Sequence, residues 1–303
     1  MKRWHIFFSL VLTLAVLAGC AVLDEKQRGW IFQPSERNWG DSAELAPEMQ
    51  DVWISFNSAA TGQPTKLHGL WLPADASRPG WNGRPGSQTP LLLYLHGARW
   101  NVTGSVPRVR RMQQLGFSVL IIDYRGFGKS TPELLPSETM AYEDTRAAWD
   151  WLAARHPGQP RYIFGHSLGG AMAIELASRV EDETGTIVEG TFTSIADVFA
   201  TMKWGWLPIR PFLTQPFESV DKVARLGAPL LVVHGTQDKM IPLALGRKLY
   251  EAAPQPKAFV QVEGGTHHNT NALGQAQYRT ALLELFGKGS SAMALALNPP
   301  RSP

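Results

Sequence analysis

Among its 303 residues the sequence holds a single cysteine, Cys20, and that excludes both a disulfide scaffold and a cysteine-rich zinc module. It lacks a strong charge bias: the formal net charge is +3, and Lys2 and Arg3 supply two of those charges, so nothing points to nucleic acid or an acidic partner. No apolar run reaches the ~18 residues of a membrane-spanning helix. Internal repeats and the His-x-x-Glu type of metal cluster are absent as well, so no metal or other cofactor is expected. What remains is a chain that is 44% hydrophobic and 18% charged, long enough to bury a core of its own.

The chain opens "MKRWHIFFSLVLTLAVLAGC". A basic start, an apolar run from Ile6 to Ala18 and small residues before Cys20 have the layout of a secretory signal. "LAGC" resembles the lipobox of bacterial lipoproteins, which implies that residues 1–19 are removed and that Cys20 is acylated as the first mature residue. Two or more acyl chains hold a protein stably at a bilayer. Ala21 after the cysteine is similar to the pattern of outer-membrane lipoproteins, so the expected place is the cell envelope, anchored through Cys20. Residues 20–49 are expected to form a tether that packs in part through Trp30, Ile31 and Phe32.

"DVWISFNS" (51–58) and "TKLHGLWLP" (65–73) alternate as two strands of a hairpin. A Gly- and Pro-rich loop (74–90) follows. From residue 90, short apolar runs alternate with helical periods. "PLLLYLHG", "FSVLIIDY", "RYIFGH", "TIVEGTF", "PLLVVHG" and "AFVQVE" read as buried strands, and 137–156 reads as the clearest helix. Strands that recur with helices between them predict a mostly parallel α/β sheet covered on both faces, with the chemistry at the carboxyl ends of the strands. Residues 194–228 are too broken by proline for one helix and predict a short cap-like connection, in which Trp204, Trp206 and Phe212 serve either as core or as an acyl pocket. The main domain is expected over 50–287, and 288–303 as a frayed tail.

"FGHSLGG" (164–170) places G-x-S-x-G after a strand and before a helical run, the setting of a nucleophile elbow that lifts Ser167 above the sheet. A serine hydroxyl needs a base, and the base needs a carboxylate. With the chain order Ser, acid, His, Asp238 stands just beyond a strong strand, and Glu189 is the alternative acid. Of eight histidines only His267 and His268 follow Asp238. The Asn269 that follows favours His268 as the base, with His267 as the alternative. Oxyanion donors are expected at the Leu168 N–H and the Ala98 N–H, with Arg99 next after Ala98. Each such donor is worth about 3 kcal/mol of barrier.

Residues 50–287 resemble an α/β-hydrolase of the serine type, on "LHG", "DYRGFGKS", "GHSLGG", "TSIADV", "WLPIRPFL", "VVHGTQDKMIP" and the terminal histidine loop. The small-capped group of S33 peptidase-like hydrolases and protein depalmitoylases is the nearest in pattern. The resemblance implies an α/β-hydrolase fold with a short cap and a serine hydrolase that cleaves an ester or thioester of a small-molecule or acylated substrate. An S33-type aminopeptidase or amidase is the enzymatic alternative, and a lipoprotein using the fold only for binding is the other. Asp123 and Arg125 look like loop-bracing residues, as does His96.

Overall fold

The computed structural model describes residues 2–34, 48–77, 89–131 and 135–297. Its centre is an eight-stranded sheet of β1 (Gln50–Asn57), β2 (Pro64–Leu72), β3 (Leu91–Leu95), β4 (Ser118–Ile122), β5 (Arg161–His166), β6 (Gly185–Glu189), β7 (Leu230–Gly235) and β8 (Lys257–Val262), in the order β1-β2-β4-β3-β5-β6-β7-β8. β2 pairs antiparallel with β1 and β4, and every later pairing is parallel. The helices are α1 (Lys2–Phe32), α2 (Val106–Gln114), α3 (Glu138–Arg155), α4 (Leu168–Ala177), α5 (Ile195–Ala200), α6 (Ser219–Val223), α7 (Leu243–Ala252), α8 (Thr270–Leu273) and α9 (Gln275–Leu297). This is the α/β-hydrolase architecture, a mostly parallel sheet with helices on both faces.

The apolar runs fold as strands because both of their faces are covered. Successive side chains alternate between faces, and on β3 Leu93 and Leu95 enter one core while Leu92 and Tyr94 enter the other. The first core lies under α3, α4, α6 and α7, and the second under α2 and α9. β8, at the edge, is only half-buried along most of its length.

After β3 the chain crosses by α2 to β4 on one side, then by α3 to β5 on the other. That reversal opens a crevice at the carboxyl ends of β3 and β5, the place where open α/β sheets take ligands.

The loop after β4 is held from below by Arg125, which is fully buried. Its guanidinium donates to Asp144 (2.7 Å), Glu143 (2.7 Å), Ser58 (2.7 Å) and the Met140 carbonyl (2.8 Å). Asp123 accepts from the Val102 N–H (2.7 Å) and lies 3.1 Å from His68 Nδ1, so both residues brace loops and neither is exposed to a reactant.

The connection from 194 to 228 contains α5, a run of nested turns, a short 3₁₀ turn at Arg210–Phe212 and α6. It leaves beyond the carboxyl end of β6 and returns to its own start, where Ser219 N–H donates to Thr193 O (2.8 Å). Trp204, Trp206 and Phe212 are not core: they are 57%, 74% and 64% exposed, on turns that carry their rings outward.

Two terminal segments differ from the expected irregular tether and frayed tail. α1 continues through Cys20 as far as Phe32, and α9 continues to Leu297; strong helix formers such as the "AMALAL" run carry a helix onward once its first turns are docked. Residues 35–47 of the expected tether, 78–88 of the expected loop and 298–303 lie outside the described residues.

The end of α1 is anchored firmly. Phe32 is fully buried against Phe217 (5.7 Å between centroids) and Phe127 (6.5 Å). Gln27 donates to Phe212 O (2.7 Å) and accepts from Thr214 N–H (2.9 Å), and Arg28 donates to Pro136 O (3.0 Å). Trp30, in contrast, is 59% exposed. In urea unfolding, Phe32→Ala is therefore expected to cost about 3–5 kcal/mol, and Trp30→Ala no more than about 0.5 kcal/mol.

Candidate functional site

The site begins with a crowded turn. Ser167 follows β5 and caps α4 at φ 55°, ψ −122°, a conformation that a serine adopts only when the surroundings hold it there. Two glycines allow this. A Cβ on Gly165 would lie 2.3 Å from Gly169 O, and one on Gly169 only 2.1 Å from Leu95 O, so β3, β5 and α4 approach one another through positions where no side chain fits. The Leu168 N–H then lies in the first turn of α4, where a helix has no acceptor of its own to offer.

The turn after β3 lies against this elbow: a Cβ on Gly97 would be 3.1 Å from the Ser167 Cβ. Ala98 follows it, half-buried. The Arg99 N–H, the alternative donor, is taken by Phe32 O (2.9 Å), and Arg99 Nε donates to the Gln33 side chain (2.8 Å). Arg99 and Trp100 both hold positive φ (69° and 63°), so the end of α1 clamps a strained loop beside the nucleophile. His96 is buried and donates from Nδ1 to Gly97 O (2.7 Å); burial pushes its pKa down, which leaves it a neutral brace.

Asp238 stands in the loop after β7 and is 7% exposed, its Oδ1 accepting from the N–H groups of Met240 (3.0 Å) and Ile241 (2.8 Å). Burial alone would raise its pKa, but the hydrogen bond and charge of His267, helped by the Ile241 N–H, hold it below the usual carboxylate range. An ionised Asp238 can only accept, so His267 Nδ1–H donates to Oδ2 at 2.7 Å. That fixes the tautomer. His267 Nε2 is left as an acceptor, 3.0 Å from Ser167 Oγ.

The histidine in this position is His267 and not the expected His268. His268 is exposed, its ring 5.5 Å from that of His267. The reason lies in Asn269, whose side-chain carbonyl turns back to accept from Thr266 N–H (2.7 Å) and Thr266 Oγ–H (2.9 Å). This asparagine folds the loop around the residue two before it and does not accompany the base as the sequence pattern suggests.

Arg108, which sequence reasoning missed, completes the loop. From α2 it donates to the carbonyls of His267 (3.1 Å) and His268 (2.9 Å) and to Glu189 Oε1 (3.2 Å). Glu189 is thereby engaged elsewhere, since its other oxygen accepts from Tyr278 Oη–H at 2.5 Å. His166 donates from Nε2 to His267 O (3.0 Å); burial, then the charge of Arg108, keep its pKa far below normal and the ring neutral. Nothing in "VPRVRRM" marks Arg108 apart from Arg110 and Arg111; only its place on the inner face of α2 does. Among the described residues no group of three or more metal-ligating side chains comes together.

The chain as a whole is similar to known proteins. A model of the family described as serine aminopeptidase, S33, matches residues 86–219. An uncharacterized protein of Mycobacterium tuberculosis is 31% identical over 250 residues, 82% of this chain and 83% of that relative. Among solved structures, an esterase of Pyrococcus furiosus superposes with a TM-score of 0.62 at 18% identity, over 84% of this chain and 98% of that one. The chain belongs to the α/β-hydrolase superfamily.

Another relative of this hydrolase is a lysophosphatidylserine lipase of Danio rerio, 32% identical over 211 residues; the match takes in 63% of the hydrolase and 54% of the lipase, about half of the latter's length. Within the hydrolase, the Arg108 network should be visible in stability. Arg108→Met leaves Glu189 buried without its cation and is expected to cost about 3–5 kcal/mol in urea unfolding at pH 7. His268→Ala, at an exposed site, should stay within about 0.5 kcal/mol.

Proposed function

We propose that this hydrolase is a serine esterase or thioesterase that works through an acyl-enzyme. The observation that carries the proposal is the unbroken path from Asp238 through His267 to Ser167, at 2.7 Å and 3.0 Å. In this reading His267 Nε2 takes the Ser167 proton as Oγ attacks the acyl carbonyl, and Asp238 stabilises the imidazolium that forms. The N–H groups of Leu168 and Ala98 receive the oxyanion. The imidazolium then protonates the leaving alcohol or thiol. Water, deprotonated by the same histidine, releases the acid and restores Ser167.

An acyl rather than a peptide substrate is favoured by the chemistry of the cap. An aminopeptidase needs an unmatched carboxylate for the substrate amine. Of the three acids in the region, Asp197 is paired with Lys248 (3.3 Å), Glu218 is paired with Arg210 (3.2 Å) and Asp221 is exposed. The esterase and lipase names of the relatives agree with this choice, and the S33 family description supports aminopeptidase as the second reading. The small-capped, depalmitoylase-like pattern adds thioesters to the esters.

A fluorophosphonate probe should label Ser167 in the folded protein and fail on Ser167→Ala; an unlabelled folded protein would refute the mechanism. His267→Ala should lower kcat for p-nitrophenyl acyl esters by about 10⁴-fold or more, and His268→Ala by less than about tenfold. Cleavage of aminoacyl anilides without cleavage of esters would favour the second reading.

We further propose that the hydrolase is an envelope lipoprotein acylated on Cys20. Cys20 is exposed, as is the whole stretch from Leu17 to Leu23, and no helix among the described residues is long and apolar enough to cross a membrane. Mass spectrometry of protein made in a bacterial host should find residues 1–19 missing and acyl mass on Cys20. An unmodified Cys20 on a soluble product refutes the anchor.

A further inference from the structure

The turn-rich part of the cap has an unusual surface. Between Met202 and Pro216 there is no carboxylate, while Lys203 and Arg210 supply two cations, of which Arg210 is paired with Glu218 just beyond the stretch (3.2 Å). In the same stretch Trp206 is 74%, Phe212 64% and Trp204 57% exposed, and Met202 and Leu207 are exposed beside them. Isolated exposed apolar residues are ordinary on a protein surface, but several on one short segment mark a contact site. Tryptophan with lysine or arginine, lacking acids, is the composition of segments that lie at the membrane–water interface, where an indole ring sits among headgroups and the cations meet anionic lipid.

A second observation indicates what covers this surface. α1 docks on it, through Gln27 to Phe212 O and Thr214 N–H and through Asp24 to the Gln215 amide (2.9 Å). One turn beyond Gln27, Trp30 is exposed on the same helix, and Val22 and Leu23 are exposed before it. Cys20 lies about 10 Å up the helix from Gln27, at a rise of 1.5 Å per residue. A chain anchored at Cys20 therefore has its anchor within a helical turn or two of the aromatic segment. The helix is fastened to the cap, so the anchor cannot hold the domain at a distance from the bilayer.

We infer that the segment from Met202 to Leu213, together with Trp30, is a membrane-docking face that rests on an anionic bilayer and presents the site to acyl lipids residing in it. The inference relies on the anchored-esterase reading for its orientation and deepens it by naming the substrate class: an ester or thioester of an amphiphile taken from the membrane. The cap emerges from the carboxyl end of β6, and Gly190, the first residue past that strand, packs against Asp238 and His267, so the docking face belongs to the side of the sheet that carries the site.

The test uses the full chain expressed in bacteria and reconstituted on vesicles of phosphatidylglycerol or of phosphatidylcholine. Trp206→Cys is labelled with a polarity-sensitive dye, and Glu284→Cys, exposed on α9, is the control. The dye at 206 should shift to the blue and be quenched by brominated lipid, more on phosphatidylglycerol, and the dye at 284 should not. In parallel, the triple variant Trp204→Ser, Trp206→Ser, Phe212→Ser should lose at least tenfold in turnover of a long-chain ester embedded in the vesicles, while hydrolysis of soluble p-nitrophenyl acetate stays within twofold. An unshifted dye on vesicles overturns the inference. So does a shift that appears without lipid as protein concentration rises, which would assign the face to a second copy of the chain. Failure of the underlying reading shows itself separately, as missing phosphonate labelling of Ser167 or missing acyl mass on Cys20.

Discussion

Everything at the site depends on one forbidden volume. Ser167 holds a positive φ because α4 must start immediately after β5, and it can start there only because Gly165 leaves room for the Gly169 carbonyl of α4 and Gly169 for the Leu95 carbonyl of β3. The strain of such a backbone is of order 1–3 kcal/mol, repaid by the packing of α4 between β5, β6 and α3. A side chain at either glycine would push the helix away from the sheet and take the Leu168 N–H with it. Geometry at the nucleophile is thus set by atoms that are absent.

The second constraint is electrostatic and reaches the base from behind. A buried carboxylate, Glu189, a buried phenol, Tyr278, and the Arg108 guanidinium form a closed set, and the spare donors of Arg108 go to the carbonyls of the histidine loop. The imidazole is therefore held at three points: Asp238 at Nδ1, Ser167 at Nε2, and its own backbone through Arg108 and His166. The Arg108 guanidinium is itself paired with Glu189, at 3.2 Å.

Much of the fold was legible because parallel strands buried on both faces read as unbroken apolar runs, and the six runs from residue 90 onward each became a strand. Ser167 and Asp238 could be placed because a strand end is a local feature. The choice between His267 and His268 could not be made locally. It is decided by a hydrogen bond from Asn269 to Thr266 and by an arginine about 160 residues earlier in the chain. For the same reason the aromatic residues of the cap gave no sign of facing outward, since composition alone does not tell a covered turn from an uncovered one. The clamp on Arg99 was equally hidden, as it requires knowing that α1 ends beside β3.

That clamp ties two distant parts of the chain into one mechanical unit. Phe32 is wedged between Phe127 and Phe217 while its carbonyl and the Gln33 amide grip Arg99. A pull on α1 is thus transmitted along a stiff helix to the turn that carries Ala98. The leading segment is not a slack leash on which the domain tumbles. It behaves as a rigid handle, and grasping it fixes the direction in which the mouth of the site looks.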